Sequence, residues 1–278
     1  MKSIFDEVSF LSSKLITRRY STSFSLGIYF LHREIHNPIY SIYGFVRLAD
    51  EIVDSFHDFD KKAMLSKIRQ DVQEAIEQKI SINPILNAFQ KTVHDYQIEW
   101  ELIDTFLNSM EADLTEDIHD VASFEKYVLG SAEVVGLMCL RVFLANDGDM
   151  YQRLKPSAMK LGSAFQKVNF LRDLKADYQA LGRSYFPGID LNSFQDEEKA
   201  KIEKSIAQDF EEAYEGIKQL PSNSKLGVYI AYIYFKHLLI KISKLPAHQV
   251  MSRRVRISNG RKLQLMVNSI FKYQMKII

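Results

Sequence analysis

Asp50 and Asp54 stand four residues apart in a segment that Arg47 opens. On a helix this spacing puts both carboxylates on one face, with the guanidinium one turn earlier on the same side. Two like charges so placed weaken an isolated helix by roughly 0.2–0.5 kcal/mol, a cost that a shared divalent cation would remove. Asp113 and Asp117 have the same spacing, so the spacing alone reads first as a solvated acidic face. A second group is more demanding. Gln166, Asn169, Asp173 and Asp177 follow steps of three, four and four, which makes one stripe of amide and carboxylate oxygens. These are hard ligands of the kind that Mg²⁺ takes, usually one or two carboxylates together with water and phosphate oxygens. Two such helices facing across a cleft would hold Mg²⁺ ions bridged by a diphosphate, with Arg47 and Arg172 on its oxygens. In metal-free buffer, neutralising Asp173 is expected to relieve repulsion within the stripe.

Long helices must carry these groups. After Asn37 and Pro38, residues Ile39, Ile42, Tyr43, Val46, Ala49, Val53 and Phe56 recur every three or four positions and predict one helix to about Phe56. Leu161, Phe165, Val168, Leu171, Leu174, Tyr178 and Leu181 predict another from about Pro156, with Gly182 as its C-cap. Asn37-Pro38 and Asn83-Pro84 read as a cap followed by proline at the first helical position, and Pro156 and Ser222 as further starts. Helical periodicity also covers roughly 4–19, 61–79, 84–96, 98–118, 123–146, 194–219 and 222–244. The stretches 182–192 and 246–259 read as irregular, the latter carrying Arg253, Arg254 and Arg256. With no period-two alternation, linker or repeat, the expectation is an all-α chain forming one domain over residues 1–278.

Composition excludes several classes. Lys and Arg number 36 against 35 Asp and Glu, so no global field gathers nucleic acid. Gly 11 and Pro 6 in 278 residues disfavour turn-rich β folds and disorder. Cys139 is the single cysteine, which leaves no intrachain disulfide, and its apolar neighbours read as core. Two acids in the first seven residues argue against a signal peptide. The apolar run from Leu226 to Ile242 is cut by Lys236, His237 and Lys241 and reads as short for a spanning helix. His32 and His36, four apart, read as surface at a helix break.

The residues resemble the squalene/phytoene synthases over nearly the whole chain. Residues 20–25, with Ser21 and Ser23, are similar to that family's N-terminal serine motif, Asp50 to Asp54 to its first aspartate-rich motif, and Gln166 to Asp177, continuing into 183–187, to its second. Tyr127 matches a tyrosine of the cavity-lining helix, and Tyr234 and Arg254, followed by Arg261 and Lys262, resemble C-terminal phosphate-contacting residues. Three positions depart from the pattern: Glu133 where glycine is common, Thr22 where some members are basic, and Glu51 for a frequent aspartate.

That resemblance implies an isoprenoid synthase fold, with helices surrounding a central cavity. It implies Mg²⁺, with Mn²⁺ as an alternative, held by Asp50, Asp54, Asn169, Asp173 and Asp177. Those aspartates and Tyr127 would act in catalysis, while Ser21, Ser23, Arg47, Gln166, Asn169, Arg172, Tyr234 and Arg254 would bind substrate. The implied reaction condenses two geranylgeranyl diphosphates to phytoene through a cyclopropylcarbinyl diphosphate, in carotenoid synthesis. Farnesyl diphosphate, giving squalene, dehydrosqualene or presqualene diphosphate, is the alternative, and a non-catalytic helical scaffold with exposed aspartates is the alternative of another class. Partners are prenyl diphosphates and no nucleic acid. The expected location is cytoplasmic, with peripheral membrane contact for release of a lipid product. The five basic residues between Arg253 and Lys262 read either as a solvated or membrane-surface patch, or as an arm laying Arg254 into the cleft mouth.

Overall fold

A computed structural model describes residues 1–115, 120–145, 147–181, 185–190 and 193–278, the side chains of 115 and 177–181 excepted. Among the described residues there is no strand. In chain order the helices are α1 (Lys2–Tyr20), α2 (Thr22–Tyr29), α3 (His36–Ser55), α4 (Lys61–Gln78), α5 (Pro84–Tyr96), α6 (Trp100–Thr115), α7 (Val121–Val128), α8 (Val134–Leu144), α9 (Gly148–Leu181), α10 (Asp196–Gln219), α11 (Lys225–Ser243), α12 (Ala247–Val250) and α13 (Asn259–Gln274). A π-turn, Leu129–Glu133, joins α7 to α8 without a break.

Local rules explain some helix ends and fail at others. Asn83 caps α5, its side chain accepting from the backbone N–H groups of Ile85 and Leu86, with Pro84 at the first position. Asn37 is not a cap. Helix α3 starts two residues before Pro38, at His36, whose ring N–H donates to the Leu31 carbonyl at 2.9 Å, and Pro38 falls inside the first turn, where its missing N–H costs nothing. Pro156 is not a start either. Helix α9 begins eight residues earlier, where Asp147 accepts from the Met150 N–H at 3.0 Å, and it runs through the proline. An internal proline costs a helix about 3 kcal/mol, and packing of α9 along its length against α8 and α10 offsets that. Helices α2 and α13 lie outside the segments predicted as helical, and α12 interrupts the segment read as irregular.

Two hydrophobic cores form. One gathers α3, α4, α5, α6 and α8 around Phe45, Phe89 and Phe106. The other gathers α7, the second half of α9, α10 and α11 around Phe170, Phe210 and Phe235. Side chains of both line the cavity between them. Close helix crossings bound that space: a Cβ on Gly227 of α11 would meet the Gly27 carbonyl of α2 at 2.6 Å, and one on Gly162 of α9 would meet the Ala132 carbonyl of the π-turn at 2.7 Å.

Val121–Leu144 and Lys225–Ser243 are long and apolar enough to cross a membrane, by length and composition. The second takes in the run that the sequence reads as short. Both are packed into the fold, with 56% and 44% of their most apolar windows buried, so core packing accounts for much of their apolar character.

Glu133, on the π-turn, does not line the cavity, although its neighbours Ser131 and Ala132 do. It lies in the field of Lys167, Asp209 and Lys160, where burial pushes its carboxyl up to about 7. The buried Asp209 accepts from Lys160 at 3.0 Å, Ser163 at 3.0 Å and Lys167 at 2.7 Å, and these two cations only partly offset the burial of Glu133. A carboxyl whose folded pKa lies above its unfolded value favours folding at low pH and loses that contribution as pH rises through about 7. Glu133→Gln is therefore expected to flatten the fall in melting temperature between about pH 4.5 and 7. An unchanged slope in scanning calorimetry would show that Glu133 is ionised throughout.

Candidate active site

A cavity of about 920 Å³ occupies the space between the cores, near the top of the roughly 300–1,000 Å³ range of small-ligand sites. One end is charged. Helix α3 brings Arg47, Asp50 and Asp54 to it, and α9 brings Gln166, Asn169, Arg172 and Asp173. Ser21 and Ser23 come from the start of α2, Tyr127 from α7, Tyr234 from α11 and Arg254 from the segment after α12. The predicted residues, drawn from separate parts of the chain, thus converge on one space. Asp177 belongs to the same stripe of α9, but its side chain lies outside the described residues, as do Arg183 and Ser184. Away from the charged end the lining is apolar, with Leu31, Ile39, Leu140, Leu154, Phe165 and Phe235.

The charged groups are held in ion pairs. Arg47 pairs with both Asp50 and Glu51, so the glutamate at the departing position keeps a role. Its guanidinium lies 4.2 Å from the Tyr20 ring centre, and its buried Nε has no hydrogen-bond partner among the described residues. Asp173 accepts from Arg172 Nε at 3.0 Å, and from Arg254 through Nε at 2.6 Å and Nη2 at 3.1 Å. Neighbouring Arg253 turns away and donates to Gln249 at 3.3 Å. Ser21 caps α2, accepting from the Phe24 N–H at 3.3 Å. Thr22, at the other departing position, accepts from Lys262 Nζ at 3.4 Å. A cation thus reaches this spot from α13.

Asp113 was the residue that spacing missed. Read as half of a surface pair, it instead lines the cavity from α6 and accepts from the Tyr185 hydroxyl at 3.3 Å. Its charge adds to that of Asp50 and Asp54. Burial first, then Asp54 and Asp113 against the opposing Arg47, push the Asp50 carboxyl up to about 7. Burial and the charges of Asp113 and Glu51 also raise Asp54, against Arg47 and Lys61. The Asp50 side chain lines the cavity and keeps 36% of its surface open. Tyr127 is buried, stacked on Tyr185 at 5.5 Å, and its hydroxyl is pushed well above the usual range by burial and by Asp113. It is a neutral hydrogen-bonding group over the ordinary pH range.

A sequence pattern described as squalene/phytoene synthase matches residues 17–261. The chain belongs to that family. It is a prenyltransferase of the kind that joins prenyl diphosphates head to head. Relatives include the 4,4'-diapophytoene synthase of Staphylococcus haemolyticus, 29% identical over 70% of this chain and 67% of that one, and the phytoene synthase of Rhodobacter capsulatus, 25% identical over 91% and 78%. The presqualene diphosphate synthase of Sinorhizobium fredii is 32% identical over 60% of this chain and 58% of its own. The fold matches the crystal structure of a dehydrosqualene synthase with a TM-score of 0.84 at 21% identity, covering 97% of this chain and 98% of that one.

The family uses a divalent metal to bind diphosphate, and the donors here fit one. Three carboxylates, Asp50, Asp54 and Asp113, repel one another with Arg47 offsetting only part of their charge, and the amides of Gln166 and Asn169 line the same cavity. Among the described residues no three His, Cys, Asp or Glu side chains are gathered at metal-binding distance, and arginines engage Asp50 and Asp173. Outside this site, His32 pairs with Glu34 at 3.5 Å and His36 is held by Leu31, so that pair is not arranged as a metal site. Cys139 is buried as expected, its thiol pushed up to about 12, although it faces the cavity wall.

Proposed function

We propose that the chain condenses two geranylgeranyl diphosphates to phytoene through a cyclopropylcarbinyl diphosphate. The observation that carries this reading is a cavity whose wall along α3 and α9 passes from apolar side chains such as Ile39, Val46, Leu154 and Leu161 to Asp50, Asp54, Asn169 and Asp173 further along the same helices. The arginines of the charged end would take the diphosphate oxygens, for which Arg47 and Arg254 have suitable planar donors. As each arginine turned to phosphate, the carboxylate it releases would become a ligand. Asp50, Asp54, Asp113 and Asp173, with the Asn169 amide, would hold Mg²⁺ or Mn²⁺, and Asp177 would extend the set. Bound there, the metal supplies Lewis-acid stabilisation to the departing diphosphate. The chain's own part in the steps that follow is to keep water away and to fix two chains side by side. Phe24, Phe165 and Phe235, in mutual ring contact at 4.2–6.2 Å, present aromatic faces that favour a passing allylic cation. Tyr127 stays neutral and adds an oriented hydroxyl beside the carboxylates.

Alignment over 91% of the chain with a phytoene synthase supports the longer substrate. The 29% identity to a 4,4'-diapophytoene synthase favours a second reading, farnesyl diphosphate on the same machinery. Purified protein given Mg²⁺ and either diphosphate, with and without NADPH, should yield phytoene from the longer one. A thirty-carbon product from farnesyl diphosphate alone would select the second reading. Absence of any condensed lipid from both would leave a helical scaffold.

A further inference from the structure

Charge is divided unevenly along this nearly neutral chain. The last acidic residue is Glu215; residues 216–278 carry 12 Lys and Arg and no Asp or Glu, whereas residues 1–215 carry 24 against 35. Helix α13 lies wholly in the basic part and packs on α11 through Leu265 and Ser269. Its other side shows Leu263, Val267, Phe271 and Met275, each four residues from the last and each 53–60% exposed. An unbroken apolar stripe on a helix whose charges are all positive is the pattern of a helix lying in a membrane interface. A second observation agrees with it. Between α11 and α13 runs a cleft of about 300 Å³ whose lining includes His237, Arg261 and Lys272 alongside Ile233 and Phe271, a place where a phosphate group could sit with acyl carbons beside it.

We infer that α13 and its basic surroundings form a docking face for an anionic phospholipid bilayer. A second copy of this chain fits the face poorly, since a symmetric pairing would set the basic, acid-free segment 216–278 against its own copy. A lipid surface supplies both the negative charge and the apolar depth that the face lacks. The docking does not depend on which diphosphate reacts. Its position matters, however, because Arg254, Arg256 and Lys262, at and before the start of α13, also line the main cavity. A bilayer seated on α13 would lie beside that part of the cavity wall.

Co-sedimentation of the full chain with vesicles tests this. Vesicles of equal parts phosphatidylcholine and phosphatidylglycerol should bind it at least about tenfold more tightly than phosphatidylcholine alone, and added salt should erode the difference. The double variant V267E/F271E should lose at least about tenfold in affinity for the anionic vesicles. Its melting temperature and its turnover of detergent-dispersed substrate should stay unchanged, so a docking failure is read separately from a failure of the proposed reaction. Ile82→Glu, at an exposed position in the acid-rich part, controls for an added charge and should bind like the parent. Parent protein that ignores anionic vesicles, or a double variant that binds them undiminished, overturns the inference. So does a dimer in sedimentation equilibrium that the double variant converts to monomer, which would give the face to a second copy. Equal binding to soluble polyglutamate, unaffected by the double variant, would give it to an acidic polypeptide.

Discussion

Asp50→Asn is expected to lower turnover by about 10²–10³-fold while raising the melting temperature of the protein in metal-free buffer. The reason is the crowding of like charge at the end of α3. Asp50 is pushed up to about 7 by burial together with Asp54 and Asp113, and Arg47 offsets only part of this. Asparagine keeps the shape and an oxygen for Arg47, but removes one negative charge from the group. In the parent, the folded-state pKa exceeds the unfolded value, so this carboxyl's contribution favours folding at low pH and is lost as pH rises from about 4 through about 7. The variant should lack that contribution. Adding Mg²⁺ with a diphosphate should reverse the order, raising the parent's melting temperature more than the variant's, because a ligand stabilises the state that binds it. Near-native turnover would remove Asp50 from the ion-binding set.

Arg254→Ala should reduce kcat/KM by the equivalent of about 1.5–3 kcal/mol, the scale of a hydrogen bond to a charged group, and Arg253→Ala should do little. The two are adjacent in sequence and differ in direction. Arg254 makes a two-pronged contact with Asp173 at the cavity, whereas Arg253 reaches only Gln249. Because the Arg254 side chain is half exposed, its ion pair should contribute little to stability, so thermal unfolding should stay near that of the parent. Equal small losses for both variants, erased by moderate salt, would make this segment a surface patch and no part of the reaction.

The stripe on α9 was legible because a step pattern of three, four and four places four oxygen-bearing side chains on one face, whatever the rest of the fold does. Asp113 was not. Its spacing to Asp117 duplicates that of Asp50 to Asp54, and only the packing of α6 against α3 and the π-turn aims it at the cavity. The energetics of Asp173 likewise depend on contacts that spacing does not show. Seen as one acid among several, it should relax its neighbours when neutralised. In the structure two arginines converge on it, so Asp173→Asn removes their shared counter-charge and brings no relief. Glu133 stands where the family commonly has glycine, yet in the π-turn Ser131 and Ala132 line the cavity and Glu133 does not. Helix ends followed the same division. Asn83 caps by a bond to its own backbone neighbours, which sequence shows, while the start of α9 depends on Asp147 and on packing that tolerates an internal proline. Helix α13 carries Leu263, Val267, Phe271 and Met275 at steps of four, a signal present in the sequence, but only the structure shows that this stripe faces outward.

A gap of about 920 Å³ flanked by two separately packed cores makes this a mechanically soft molecule at its centre. Close-packed interiors resist compression, and hydrostatic pressure works on internal space instead. Each core is a stiff body, and the yielding direction is the one that draws them together across the apolar walls. Chains lying between those walls would act as struts. Compressibility would then fall as the space fills, and the elastic response of the whole protein would report whether its centre is occupied.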